Sequence, residues 1–173
     1  QKKIDKKDGS SIYVFNPNNY RYISYNDLGL IYLIDMLDKE KGLKEIKESA
    51  FAEYPFGQNN FGLINTIYLG NKKNAKYLFK KSSKHNFWLS EFNLSEMYEK
   101  ENKRMKSLEY LTRASEHENE PLIYRGITRH DKRLEISKIF IICYTNLKLT
   151  SHYFSESKYD ECKKYFTKTI NNL

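Results

Sequence analysis

The sequence predicts an all-α chain, an α/α solenoid of helical hairpins closed by a C-terminal capping hairpin. Three observations predict it. Glycine and proline are scarce, 7 and 3 in 173 residues, which suits helices and disfavours a turn-dense β fold. Apolar residues recur at i, i+3 and i+4, the period of one helix face. The pattern also repeats: SYNDLGLIY (24–32), GQNNFGLIN (57–65) and SEFNLSEMY (90–98) align without a gap at steps of 33 residues.

A second set of windows follows the first, GLKEIKESA (42–50), AKYLFKKSS (75–83) and SLEYLTRAS (107–115), at steps of 33 and 32. Small residues fill the columns Ser24/Gly57/Ser90, Gly29/Gly62/Ser95, Gly42/Ala75/Ser107 and Ser49/Ser82/Ala114. Large apolar residues dominate Leu28/Phe61/Leu94, Ile31/Ile64/Met97 and Ile46/Phe79/Leu111. Glycine inside a helix costs about 1 kcal/mol relative to alanine, so its recurrence needs a reason. Close approach of two helix backbones is that reason, with the large residues filling the groove beside the contact.

The elements follow in order. Residues 1–20 read as a non-helical arm, because IYVFNPNNY lacks a helical period and contains Pro17. First helices are expected over about 21–37, 56–69 and 88–100, and second helices over about 40–52, 72–84 and 103–116. They define repeat 1 (21–55), repeat 2 (56–87) and repeat 3 (88–118), joined by the polar turns DKEKG, LGNKKN and EKENK. The register breaks at HENEPLIYRGITRHD, giving an irregular connection over 119–131. Residues 132–173 then form the capping hairpin, with helices expected over about 132–149 and 156–171. One hairpin cannot bury its own apolar face, whereas stacked neighbours can.

These residues carry a resemblance. Ser24, Leu28-Gly29 and Tyr32, with Gly57 and Phe61-Gly62, and Ser90, Leu94-Ser95 and Tyr98, set a small-x-x-x-Leu-Gly-x-x-Tyr pattern. Each is followed by a small pair, Ser49-Ala50, Ser82-Ser83 or Ala114-Ser115. The pattern resembles the Sel1-like repeat, kin of the tetratricopeptide repeat. It departs from that repeat at Asn65, which stands in the tyrosine position, at Ser95 in a glycine position, and in a shorter inter-helix loop. The resemblance implies a protein–protein scaffold whose partner lies against the first helices. By likeness to tetratricopeptide grooves, Asn26, Asn59 and Phe92 would form one facing column and Leu30, Leu63 and Glu96 the next. The asparagines could hold a peptide backbone through paired amide groups. Cys143 and Cys162 flank a loop expected near 150–155, so an antiparallel hairpin brings them roughly level and a disulfide could bridge the last two helices, similar to the way some secreted Sel1-like proteins staple their hairpins. Two reduced thiols fit the same positions.

Function reads less directly. The composition, 39% hydrophobic and 30% charged, is that of a folded globular chain, and the longest apolar run, IFIICY (139–144), falls far short of a membrane span of about 20 residues. Gln rather than Met at position 1 reads as a mature or trimmed start. The net charge of +8 permits acidic partners, although abundant Lys, Asn, Ile and Tyr together read first as compositional bias. Lys73, Lys76, Lys80 and Lys84 form a stripe on a helix with no acid in it, a candidate patch for an anionic partner. Tyr77 and Phe79 are expected to turn from that stripe toward neighbouring helices. No His or Cys spacing supports a metal site, and no phosphate loop or nucleophile motif occurs, so neither a cofactor nor catalysis is expected. The alternative is an all-α RNA-binding protein, or an RNase resembling the HEPN type, using Arg125, His130 and the lysine face. The expected function is therefore a non-enzymatic module binding a protein or peptide, as an adaptor or as an immunity protein that plugs a toxin.

Overall fold

The computed structural model describes residues 2–5, 11–14, 20–116 and 132–171. Within the N-terminal arm, β1 (Lys2–Asp5) pairs antiparallel with β2 (Ser11–Val14), Lys2 opposite Val14. Helices account for nearly all the other described residues: α1 (Tyr20–Ile34), α2 (Lys39–Phe51), α3 (Pro55–Ile67), α4 (Lys72–Ser83), α5 (Trp88–Lys100), α6 (Arg104–Glu116), α7 (Lys132–Ser155) and α8 (Tyr159–Asn171). They group into two units, Gln1–His85 with α1–α4 and Asn86–Leu173 with α5–α8.

In the first unit α1 packs on α2 and α3 on α4, and α2 packs on α3. The small columns explain how closely. A Cβ placed on Gly29 would lie 2.5 Å from Ile46 Cγ1, and one on Gly62 would lie 2.6 Å from Phe79 Cε1. Gly57 meets Ser49 of α2 in the same way, so that column joins one hairpin to the next. Ile46, Ala50, Phe61, Ile64 and Leu78 form the core, with Leu30, Leu33 and Leu43 packed against it. Burying such side chains stabilises by about 1.5–3 kcal/mol each. The first hairpin departs from the expected pattern. Leu28 and Ile31 of α1 are exposed, although their counterparts Phe61 and Ile64 in α3 are buried. Phe61 packs with Ile46 and Ala50 of the preceding hairpin, and among the described residues no helix stands before α1.

Polar residues repeat with the same step. Ser49 Oγ donates to Tyr22 O at 2.8 Å, and Ser82 Oγ donates to Pro55 O at 2.9 Å, each serine binding a first-turn carbonyl of its own hairpin. Asp38 caps α2 by accepting from Lys41 N, and Asn71 caps α4 by accepting from Asn74 N, both at 3.1 Å. The turns are closed by left-handed residues at matching places, Leu37 (φ 54°), Gly70 (φ 63°) and Asn102 (φ 57°). The tyrosine column has one task in all three hairpins, which is to meet the second helix. Lys41 Nζ lies 5.6 Å from the Tyr32 ring centre, Asn74 Nδ2 donates to Asn65 Oδ1 at 2.9 Å, and Lys106 Nζ lies 5.7 Å from the Tyr98 ring centre. Asn65 thus replaces a cation–π contact with an amide pair.

In the second unit α5 packs on α6, α6 on α7 and α7 on α8. Leu111, Leu149 and Tyr165 form a core joined by Phe92, Leu108 and Tyr153, and the Tyr153 and Tyr165 rings stack at 5.5 Å. Here α7 runs to Ser155, past the expected end near 149. Residues 143–155 contain neither Gly nor Pro to stop it, and Thr150 folds its hydroxyl back onto Asn146 O at 2.9 Å. The turn therefore falls at 156–158, and this overturns the cysteine pairing. Counted from that turn, Cys143 is level with the end of α8, where its Sγ points at Thr169 O at 4.0 Å. Cys162 sits in the first turn of α8, seven residues before Thr169 and so about 10 Å away along the helix axis at 1.5 Å per residue. A disulfide needs Cα atoms within about 7 Å, and both thiols are free.

Candidate protein-interaction surface

The columns expected to face a partner turn inward. Asn26 is 1% exposed and accepts a hydrogen bond from Asn60 Nδ2 at 2.8 Å, which ties α1 to α3. Asn59 is 3% exposed. Leu30 is half-buried against the first core, and Leu63 is half-buried as well. In the second unit Phe92 meets Tyr144 of α7 edge to face at 6.0 Å, and Lys148 Nζ donates to Glu96 Oε1 at 2.8 Å and also to Glu99. Burial pulls the Lys148 ammonium down, but its bonds to Glu96 and Glu99 together outweigh that and hold it well above the ordinary lysine range. Asn26, Asn59, Phe92 and Glu96 are therefore not a groove lining. Within each unit, Asn26 packs α1 on α3, and Phe92 and Glu96 pack α5 on α7. Serial spacing alone cannot distinguish that face from a concave one, since both run along the same helix.

Other ionisable groups are also engaged within their own unit. Glu91 is 0% exposed and pairs with Arg113 Nη2 at 2.7 Å. Arg104 Nη2 lies 3.0 Å from His152 Nδ1 and, because a guanidinium only donates, that nitrogen accepts. His152 is then neutral with its proton on Nε2, 3.3 Å from Glu156 Oε1. Burial pushes His152 below the ordinary histidine range, with Arg104 acting in the same direction and Glu156 opposing. Burial likewise lowers His85, against an opposing pull from Glu53. Among the described residues no three His, Cys, Asp or Glu side chains come together in a way that could hold a metal ion. No described helix is long and apolar enough to cross a membrane. Arg125 and His130 lie outside the described residues.

The first unit also presents to solvent a face made by its second helices. A cavity of about 330 Å³ is lined by Ala50, Phe51, Phe61, Tyr77 and Leu78, with Lys47 and Lys81 at its edge. A second, of about 370 Å³, is lined by Leu43, Phe61 and Leu69 with Lys44, Lys47 and Glu48. The two share Lys47 and Phe61, so they form one trough along α2. Phe51 and Tyr77 stand 65% and 55% exposed at its rim, each under a lysine ammonium: Lys47 at 5.5 Å from Phe51 and Lys81 at 5.4 Å from Tyr77. Tyr77 thus does not turn toward a neighbouring helix. It occupies the lysine stripe itself, on the same face as exposed Lys73, Lys80 and Lys84, while Lys76 is half-buried to one side. The signal for this surface was present in the sequence as aromatic residues beside lysines, but only the packing shows which aromatics stay outside.

This is a helical-repeat protein, two hairpins to each unit, with a polar seam inside the packing and an apolar trough outside it. No family model matches the sequence, and no curated protein does. Among solved structures it is similar to a Sel1 repeat protein from Oxalobacter formigenes, with a TM-score of 0.51 and 17% identity, over 91% of this chain and 76% of that one. It is also similar to MamA, with a TM-score of 0.50 and 16% identity, over 91% of this chain and 80% of that one. The fold is the Sel1-like, tetratricopeptide-like α/α solenoid.

Proposed function

We propose that the protein is a non-enzymatic scaffold that binds another protein or a peptide. The observation that carries the reading is the trough along α2, an apolar surface with the exposed aromatic side chains Phe51 and Tyr77 beside it. The repeat architecture supports it, because stacked hairpins present a rigid, shaped surface whose residues are free to vary. An adaptor and a toxin-immunity protein both need no more than such a surface. The test is capture of a stoichiometric partner from the native host by the immobilised chain, followed by reconstitution with that purified partner and calorimetry. Failure of any captured protein to bind in reconstitution sinks the proposal.

The exposed position of Tyr77 among Lys73, Lys80 and Lys84 favours one second reading, in which the same stripe binds RNA through charge and stacking. Salt-dependent binding of single-stranded RNA, lost in Lys80→Glu, would establish it. Cleavage of that RNA by the wild type, abolished by Arg125→Ala with His130→Ala, would extend it to an RNase.

A further inference from the structure

We infer that the trough along α2 is a docking site for an acidic peptide segment carrying one or two large apolar side chains. The inference rests on the scaffold reading and names the partner's chemistry. The trough runs from Leu43 to Phe51, about 12 Å of helix, which spans about four residues of an extended chain. Phe61, Leu43, Ala50, Leu69 and Leu78 are its apolar lining, so it takes aliphatic or aromatic side chains. Phe51 and Tyr77 are exposed aromatic side chains of the kind enriched at interfaces.

The charge around the trough sets the sign of the partner. Lys44, Lys47 and Lys81 line it, and Lys73, Lys80 and Lys84 continue along α4 with no acid in that helix. Two carboxylates oppose them: Glu48 lines the second cavity, and Glu53 pairs with Lys81 at 3.7 Å. A lysine excess beside an apolar lining matches glutamates or aspartates flanking an apolar anchor. It matches a nucleic acid less well. A phosphate backbone runs without apolar side chains to fill the trough, and Glu48 would stand against it.

The probe is a fluorescein-labelled peptide with a leucine–phenylalanine pair between two runs of glutamate, titrated with the full chain by fluorescence polarisation. The comparison peptides replace the apolar pair with serines, or the glutamates with lysines. Wild type is expected to bind the first peptide and to bind both others at least about tenfold more weakly. Phe51→Ser and Lys47→Glu should each weaken binding about tenfold, with circular dichroism unchanged because both side chains lie at the rim. Tyr77→Ser serves as a second rim variant. No binding by wild type, equal binding of the three peptides, or indifference to all three substitutions overturns the inference. So does preferential binding of poly(U) RNA over the acidic peptide. The scaffold reading is tested separately. A reconstituted native partner that binds wild type and the Lys47→Glu/Phe51→Ser variant alike leaves the scaffold standing and removes the trough.

Discussion

Gly42→Ala gives the sharpest test of why small residues recur in this chain. On an exposed helix the change would stabilise by about 1 kcal/mol through helix propensity. Here a Cβ at 42 would lie 2.5 Å from Leu33 Cγ on one side and 2.9 Å from the Gly29 carbonyl oxygen on the other. Leu33 can move only by disturbing the core it packs against, and the carbonyl can move only if α1 shifts. Overpacking a close-packed interior costs about 1–3 kcal/mol when side chains alone adjust, and the backbone half of this clash puts the gross cost near the top of that range. After the propensity gain, a net loss of about 2 kcal/mol remains, which lowers Tm by about 4–8 °C in a chain of this size. Thermal and urea unfolding followed by far-UV circular dichroism measure it. Adding Leu33→Ala removes one of the two clashes, so the pair should couple favourably by about 1 kcal/mol in a double-mutant cycle. Ala75 occupies the equivalent place in the second hairpin, where Thr66 stands in the Leu33 column. Ala75→Gly should therefore destabilise by about 1 kcal/mol. A Gly42→Ala protein as stable as wild type would refute close helix approach as the reason for the column.

Leu37 is 77% exposed and held at φ 54°, where glycine serves the equivalent turn at Gly70. Leu37→Gly should stabilise by about 1 kcal/mol, and a lower urea midpoint would contradict the strain argument. Alkylation of the native protein without reductant should modify Cys162 first and Cys143 only on unfolding, with mass spectrometry finding no linked peptide. A Cys143–Cys162 crosslink in that experiment would overturn the placement of the α7–α8 turn. Burial holds both His85 and His152 below their ordinary value near pH 6.5, so the unfolded chain binds more protons there. Their contribution is complete above about pH 6.5 and is lost as pH falls through the lowered folded values, so the urea midpoint should drop as pH falls below about 6.5. His85→Gln with His152→Gln should flatten that slope, and an unchanged slope would remove the assignment.

The hairpin repeat was legible because it is written twice over, once in small residues and once in large ones. Gly29, Gly42, Gly57 and Gly62 are places where a Cβ has no room, and a local rule of that kind shows in any aligned window. The serines at 49 and 82 were legible as small residues, but not as donors to Tyr22 and Pro55, because the acceptor is a backbone carbonyl and leaves no residue type to read. Asn65 looked like a departure from the repeat and is a substitution in kind, since it still reaches the second helix through Asn74.

The binding surface was not legible in the same way. Helical periodicity separates an apolar face from a polar one, but it does not say whether a polar face meets water or another helix. Asn26 and Glu96 are polar and yet lie against α3 and α7, where Asn60 and Lys148 satisfy them. Phe51 and Tyr77 are aromatic and yet lie outside. The sequence by itself determined the hairpins and their close contacts, because these depend on residues within one repeat of one another. Only the tertiary structure decided which faces are spent on neighbouring hairpins. That choice depends on what packs alongside each helix, which spacing along a single helix does not record.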